Sequence, residues 1–223
     1  SETGHSERFR IISVEGAFHG RSLAGIAAGK QEKHIAGFGP IMDGFDQVAF
    51  GSLNEIKSKI TRETAGVIVE PIQGEGGIRS MEDNYLDNLR SICDENCLLL
   101  QFDEVQTGVG RTGKLYCYEW SGVKPDILSS AKGLGGGFPI GATMATEKIA
   151  HAMGPGSHGS TFGGNPLAAA CANAVLDVVL EKGFLTKVNK SSDELRGGLE
   201  VLLGKYPKQL SEIRGKGLMI GLK

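Results

Sequence analysis

The sequence has little of what marks disulfide-rich, membrane-spanning or nucleic-acid-binding proteins. Only four of its 223 residues are cysteines and no C-x-x-C pair occurs, so neither a disulfide framework nor a zinc site is expected. No apolar run approaches the ~20 residues of a membrane span, and no signal peptide is recognisable. The net charge of -2 argues against a nucleic-acid partner or an acidic membrane surface. We therefore expect a cytoplasmic protein with reduced thiols.

Glycine, in contrast, is abundant. It accounts for 34 of the 223 residues, about twice its usual share of ~7%. The glycines follow no regular period, which excludes a collagen-like chain, and they cluster where apolar runs end. Many tight turns close to a bound ligand are therefore predicted.

Short apolar runs alternate with helical patterns along the chain. Strands are predicted over residues 9–14, 66–69, 98–102, 127–130 and 141–145. Helices are predicted over 53–60 with Ser52 as N-cap, over 83–96, from 165 to about 180, and from about 187 to 203. This alternation predicts an α/β fold with a mostly parallel, doubly wound sheet. Residues 30–46 are interpreted as irregular, and 213–222 as one strand of a smaller unit.

Polar residues cluster after the predicted strands. Residues 18–21 follow the first strand, 70–75 the second, 103–106 the third, and Lys132 the fourth. In parallel sheets ligands bind at the carboxyl ends of the strands. We therefore expect four loops to converge on one pocket.

The most informative stretch surrounds Lys132, which lies between the apolar run 127–131 and four glycines at 133 and 135–137. We expect a lysine placed there to be poorly solvated, which favours the neutral amine, and a neutral amine can attack a carbonyl to form a Schiff base. The alternative is an ordinary loop lysine whose side chain extends into solvent. This stretch alone does not separate the two.

A second glycine-rich segment, 108–113, matches the G-x-G-x-x-G pattern of nucleotide-binding proteins and nearly matches a P-loop. Leu115 stands where a P-loop needs Ser or Thr, and the aromatic residues that follow do not resemble the N-terminus of a helix. We interpret the segment as a glycine turn that carries Arg111.

Five motifs together carry a family resemblance. In chain order they are FHGR at 18–21, VEPIQGEGG at 69–77, FDEVQTGVGRTG at 102–113, AKGLGGG at 131–137 and GSTFGGNP at 159–166. The set resembles the class III pyridoxal-phosphate-dependent aminotransferases over almost the whole chain. The resemblance implies the aspartate-aminotransferase-like fold (fold type I). Residues 1–183 would be the central part of the cofactor-binding large domain, and 184–223 the start of a smaller C-terminal domain.

The resemblance assigns cofactor roles to five residues. Lys132 would bind pyridoxal 5'-phosphate covalently and then act as the base that moves the proton. Asp103 would face the pyridine nitrogen, Gln106 would donate to the phenolic oxygen, and Phe18 would stack on the ring. Thr161 would bind the phosphate from the partner subunit of a homodimer.

The resemblance also assigns substrate roles. Arg21 would bind the α-carboxylate through its planar fork, and Ser160 would contact the substrate. Glu75 would be a gate that masks a second arginine, and the alternative is a solvated loop carboxylate. Glu70 is expected behind the site and His19 in a structural hydrogen bond, and no other histidine is given a role.

The implied reaction moves the amino group of N-acetylornithine to 2-oxoglutarate, a step of arginine biosynthesis, and succinyl-diaminopimelate is a second expected substrate. One alternative is another class III activity, on ornithine or 4-aminobutyrate, and another is a non-catalytic fragment. Family members are longer at both ends. The chain is therefore expected to be a fragment that lacks the phosphate-binding glycine loop and the second arginine.

Overall fold

The computed structural model describes residues 7–82 and 84–223. The strands are β1 Arg10–Val14, β2 Phe45–Val48, β3 Thr64–Val69, β4 Ile72–Gln73, β5 Arg79–Ser80, β6 Leu99–Asp103, β7 Ile127–Ser130, β8 Ala142–Ala145, β9 Ile213–Lys216 and β10 Met219–Leu222. The α-helices are α1 Leu23–Gly29, α2 Glu32–Ile35, α3 Leu53–Lys59, α4 Tyr85–Glu95, α5 Glu147–Ala150, α6 Pro166–Val179 and α7 Phe184–Lys205. Short 3₁₀ helices cover Cys117–Trp120 and Lys132–Gly135.

Six strands of the described residues form one sheet in the order β2-β1-β3-β6-β7-β8. Neighbouring strands pair in parallel except β7 and β8, which are antiparallel. The predicted α/β fold with a mostly parallel sheet is thus confirmed. The order in which strands are added to the sheet reverses at β1, because β2 lies on one side of β1 and β3 lies on the other. Such a switch point opens a crevice at the carboxyl ends of the strands.

The centre of the sheet is the core of the molecule. Ile12, Leu100 and Phe102 are fully buried in their strands, and Ile56 of α3 and Leu89 of α4 pack in the same cluster. Burial of one such side chain contributes about 1.5–3 kcal/mol. The sheet therefore gives the loops at its carboxyl edge a rigid base.

Two predicted helix starts have side-chain caps, of which the one at Ser52 was expected. The Ser52 hydroxyl accepts the N–H of Glu55 over 3.2 Å at the start of α3, and the Asn165 side chain accepts the N–H of Ala168 over 2.9 Å at the start of α6. Each cap contributes about 1 kcal/mol. The helix predicted from residue 83 begins at Tyr85, and Asp83 itself lies outside the described residues.

Three elements differ from the prediction. Residues 30–46 are not irregular throughout, since they contain α2 and the start of β2, which forms because it pairs with β1. Residues 213–222 form the antiparallel hairpin β9–β10 instead of one strand, because Gly217 turns the chain with a φ of +59° that glycine adopts at low cost. β8 is exposed, not buried, because it lies at the edge of the described sheet beside β7 alone.

The segment 108–113 is a turn, as interpreted from the sequence. The N–H of Gly113 donates to the carbonyl of Gly110 over 3.0 Å, and the N–H of Gly110 donates to the carbonyl of Leu115 over 3.1 Å. The next helical residues form a single 3₁₀ turn, whereas a nucleotide-binding motif leads into an α-helix.

In the described ranges, no helix combines the length and the apolar character that crossing a membrane requires.

Candidate active site

One cavity of about 200 Å³ lies where four parallel strands end. Its walls include Phe18 after β1, Glu70 after β3, Asp103 at the end of β6 and Lys132 after β7. These strands are neighbours in the sheet, so their loops meet although they are far apart in the chain. The convergence that was expected from the strand pattern is present for these residues.

Asp103 is held in place from two sides. Its Oδ2 lies 2.8 Å from Nδ1 of His19, and its Oδ1 accepts the N–H of Val105 over 3.1 Å. The side chains of His19 and Asp103 are only 4% and 11% exposed. Both hydrogen bonds fix the plane of the carboxylate against the cavity wall. The structural hydrogen bond expected for His19 is therefore present, and its partner is Asp103.

Gln106 brings an unused hydrogen-bond donor to the same wall. Its Nε2 is buried and has no partner among the described residues. The Gln106 amide packs directly against Gly74, where an added methyl group would overlap it. Gly74 therefore lets the amide lie close to the backbone of the loop after β4. A buried donor without a partner costs about 1–3 kcal/mol, a cost that a ligand oxygen at this position would remove.

Glu70 supports the loop that carries Phe18. Its Oε2 accepts the N–H of Phe18 over 2.9 Å and its Oε1 accepts the N–H of Gly74 over 3.4 Å. The residue is only 3% exposed. Burial raises the pKa of Glu70 to about 7, and the nearby Asp103 charge adds to the rise, although the two N–H donors oppose it. Glu70 therefore links the loops after β1 and β3, and it also borders the cavity.

Replacing Glu70 by glutamine is expected to remove a pH dependence from the stability of the protein. Because the folded-state pKa of about 7 lies above the ordinary 4.5, the folded state binds more protons than the unfolded state between these pH values. The free energy of unfolding of the wild type should fall by up to about 3 kcal/mol as the pH rises through this window. Urea unfolding at about pH 5 and about pH 8 measures the fall, and the variant should lack the part of it that Glu70 contributes.

The matched control is Glu200→Gln, on an exposed position of α7, which should keep the pH dependence of the wild type. If Glu70→Gln also keeps it, Glu70 does not titrate in this window.

Phe18 and Arg21 lie together beside the cavity. The Cζ atom of Arg21 is 5.5 Å from the centre of the Phe18 ring, within the range of a cation–π contact. Arg21 is exposed, while Phe18 is half-buried and lines the cavity. The ring expected to stack on a cofactor and the guanidinium expected to bind a carboxylate are therefore neighbours.

Lys132 is the first residue of its 3₁₀ helix and has a φ of +46°, which is uncommon for a residue other than glycine. The expectation that it is poorly solvated is wrong for this structure, since Lys132 is exposed. The reason is its position between the cavity and a second hollow lined by Arg111 and Phe184. Its amine makes no hydrogen bond or ion pair within the described ranges. The amine is thus available to a ligand.

Apart from Arg21, three predicted site residues do not line the cavity. Glu75 is exposed and borders a neighbouring hollow together with Lys30 and Arg79. Ser160 and Thr161 lie in an exposed turn before α6. The structure therefore brings together Phe18, Asp103, Gln106 and Lys132, places Arg21 beside them, and leaves these three outside.

Glu104, to which the motifs assign no role, organises the loop between Asp103 and the first 3₁₀ helix. Its fully buried carboxylate accepts the hydroxyl of Thr107 over 2.6 Å and the N–H groups of Cys117 and Tyr118 over 2.8 Å each. Burial raises the pKa of Glu104. A signal for it was present in the sequence, since a carboxylate directly after a buried strand needs partners if the loop folds back over it.

Comparison with known proteins places these residues in a family. The whole chain, residues 1–223, matches Aminotransferase class-III. An acetylornithine aminotransferase from Agrobacterium fabrum is 60% identical over 220 residues, which make up 99% of this chain and 55% of the relative. The chain therefore spans about half the length of the curated relatives it matches.

Solved structures agree with this assignment. An ornithine aminotransferase from Toxoplasma gondii, with PLP at partial occupancy in its active site, has a TM-score of 0.90 at 32% identity, over 96% of this chain and 51% of that one. An N-acetylornithine aminotransferase from Stenotrophomonas maltophilia has a TM-score of 0.78 at 33% identity, over 98% of this chain and 52% of that one. The chain has the fold implied by the five motifs, and it belongs to the class III aminotransferase family.

Proposed function

We propose that this chain forms the cofactor-binding part of an acetylornithine aminotransferase, which transfers the amino group of N-acetylornithine to 2-oxoglutarate with pyridoxal 5'-phosphate. The observation that carries the proposal is the meeting of the Asp103 carboxylate, the Gln106 amide and the Lys132 amine around one cavity. The 60% identity to a relative of that name supports the substrate. Succinyl-diaminopimelate is proposed as a second substrate. Ornithine is the competing one, because an ornithine aminotransferase has a TM-score of 0.90 to this chain.

The cavity suits pyridoxal phosphate in charge and in hydrogen bonding. Asp103 would present a negative charge to a protonated pyridine nitrogen, and Gln106, whose Nε2 has no partner among the described residues, would donate to the phenolic oxygen. Phe18 would lie against the ring, flat apolar area against the π face. We propose that the Thr161 hydroxyl binds the phosphate of the partner subunit in a homodimer, which agrees with its exposed position.

The residues of the chain would divide the chemistry among them. When bound, the pyridoxal group accepts the electrons left behind when the substrate carbon loses its proton. Lys132 would hold the cofactor through Nζ and would also move the proton as general base. His19 and the N–H of Val105 hold the Asp103 carboxylate, so its charge would already be oriented before the reaction begins.

Substrate binding is proposed for residues at the rim. Arg21 would bind the α-carboxylate by two parallel N–H···O bonds, and Ser160 would contact the substrate. Glu75 would act as the gate for the second substrate. The division into 1–183 and 184–223 and a cytoplasmic location belong to the same proposal, and both are supported by the family resemblance.

The proposal is tested by assaying the full-length protein that contains this chain with pyridoxal phosphate and 2-oxoglutarate and measuring glutamate formed from N-acetylornithine, ornithine and 4-aminobutyrate. We expect the highest kcat/KM for N-acetylornithine. A preference for one of the other amines would reassign the substrate, and no glutamate from any amine would contradict the proposed function.

Replacing Arg21 by lysine is expected to lower kcat/KM for N-acetylornithine more than kcat/KM for an amine without a carboxylate, such as butylamine. Lysine keeps the charge but loses the two-point fork, so transition-state binding should weaken by about 1–3 kcal/mol for the carboxylate substrate alone. The measurement is kcat/KM for both amines. Arg62→Lys, at an exposed position before β3, is the control and should change neither. Equal losses for both amines would exclude the carboxylate role of Arg21.

A further inference from the structure

His34 on α2 contacts the aromatic ring at the edge of the site. The centres of the His34 and Phe18 rings are 5.7 Å apart and the ring planes are inclined by 80°, the edge-to-face geometry that aromatic pairs prefer. His34 is only 9% exposed. The Phe18 ring is therefore in contact with an imidazole and also with the Arg21 guanidinium.

The helix that carries His34 is fixed to the Phe18 loop by a separate contact. The amide Nε2 of Gln31, the residue before α2, donates to the carbonyl of Ala17 over 2.9 Å. The N–H of Phe18 donates to Glu70 on the other side. Because the backbone is held at both Ala17 and Phe18, the remaining freedom of Phe18 is the direction of its ring, and His34 restricts that direction.

Arg21 depends on this ring for its own position. Among the described residues Arg21 makes no ion pair and no side-chain hydrogen bond, and its guanidinium is in cation–π contact with the Phe18 ring. A long exposed side chain without a fixed partner loses rotamer entropy when it binds a ligand. A ring that holds the guanidinium near its bound position reduces that loss.

The charges around His34 favour its neutral form. Burial lowers the pKa of His34, the positive charges of Arg21 and Lys33 lower it further, and Glu75 opposes them. A neutral imidazole can pack against Phe18 without repelling the guanidinium of Arg21. Near neutral pH the contact should therefore act as an aromatic pair.

We propose that His34 is a positioning residue for the α-carboxylate end of the substrate, because it fixes the Phe18 ring and, through that ring, the Arg21 guanidinium. The inference rests on the proposed function, in which Arg21 binds a carboxylate. It predicts that an aromatic ring is needed at position 34, whereas the bulk of an aliphatic side chain is not sufficient.

The test compares His34→Leu, which fills the space without an aromatic edge, with His34→Phe, which restores the edge without a titratable group. The first readout is the equilibrium binding of N-acetylnorvaline to the protein loaded with pyridoxal phosphate. This ligand has the α-carboxylate of the substrate but no amine to transfer. N-acetylnorvaline amide, which lacks the carboxylate, is the matched ligand. Calorimetry measures both dissociation constants without any turnover.

We expect His34→Leu to raise the dissociation constant of N-acetylnorvaline by about threefold to tenfold, the range of one aromatic contact. The amide should bind equally to both proteins, and His34→Phe should bind N-acetylnorvaline within about twofold of the wild type. In turnover, His34→Leu should raise KM for N-acetylornithine by a similar factor while kcat stays within about twofold.

The inference is overturned if His34→Leu binds N-acetylnorvaline as the wild type does, or if His34→Phe does not restore that binding. It is overturned as well if His34→Leu weakens binding of the amide as much as binding of the acid. It is also overturned if the wild type does not distinguish the acid from its amide. The proposed function fails on a different observation, namely that the wild type forms no glutamate from any amine.

Discussion

Replacing Lys132 by alanine is expected to abolish amino-group transfer and to leave the fold intact. The reaction needs an amine that can bond to the carbonyl of the cofactor and later carry a proton, and alanine has neither ability. Activity should fall by about a thousandfold or more. The amine makes no hydrogen bond or ion pair within the described part of the chain, so its loss should cost little stability. Steady-state assays and thermal unfolding of the variant measure the two effects.

The control is Lys124→Ala, at an exposed loop position, which should keep wild-type activity. Borohydride reduction of the wild type should fix the cofactor to the peptide that contains Lys132. If the label appears on a different lysine, Lys132 is not the residue that holds the cofactor.

Replacing Asp103 by asparagine is expected to give a protein that still binds the cofactor but has lost most of its activity. The amide has the shape of the carboxylate, and its oxygen can still accept the N–H of Val105 or a proton of His19, so the loop should keep its structure. A neutral side chain cannot stabilise a positive ring nitrogen. The loss of this charge should reduce kcat by about a hundredfold to a thousandfold.

The measurement for Asp103→Asn is kcat together with the cofactor dissociation constant from its visible absorbance. Asp177→Asn, at an exposed position of α6, is the control and should leave both unchanged. Near-normal kcat in Asp103→Asn would show that Asp103 does not face the ring nitrogen.

Local sequence was sufficient wherever the cause of a structure is local. The start of α3 was predicted from Ser52 because a cap joins residues three positions apart, and the start of α6 was predicted from Pro166 because proline favours the first turn of a helix. The core strands were predicted because a strand buried on both faces reads as a continuous apolar run. β2 was missed because the segment FDQV is half polar, and it becomes a strand through its hydrogen bonds to β1.

In the candidate site, too, the sequence indicated the functional residues but not the contacts between distant ones. The motifs indicated Asp103, Gln106 and Lys132 as functional residues, and the strand pattern indicated that their loops share one edge. No pattern indicated that His19 bonds Asp103 across 84 positions, that Gln106 packs on Gly74, or that His34 meets Phe18 edge to face. Nor did the sequence show that Lys132 is exposed between two hollows.

The sequence by itself determined which chemical groups this protein has and at which strand ends they lie, because residue type and hydrophobic period are properties of short stretches of chain. Only the tertiary structure decided which of these groups touch. Contacts between distant residues depend on the order of the strands in the sheet, β2-β1-β3-β6-β7-β8, and on the few hydrogen bonds that fix each loop. Both arise from the packing of the whole chain.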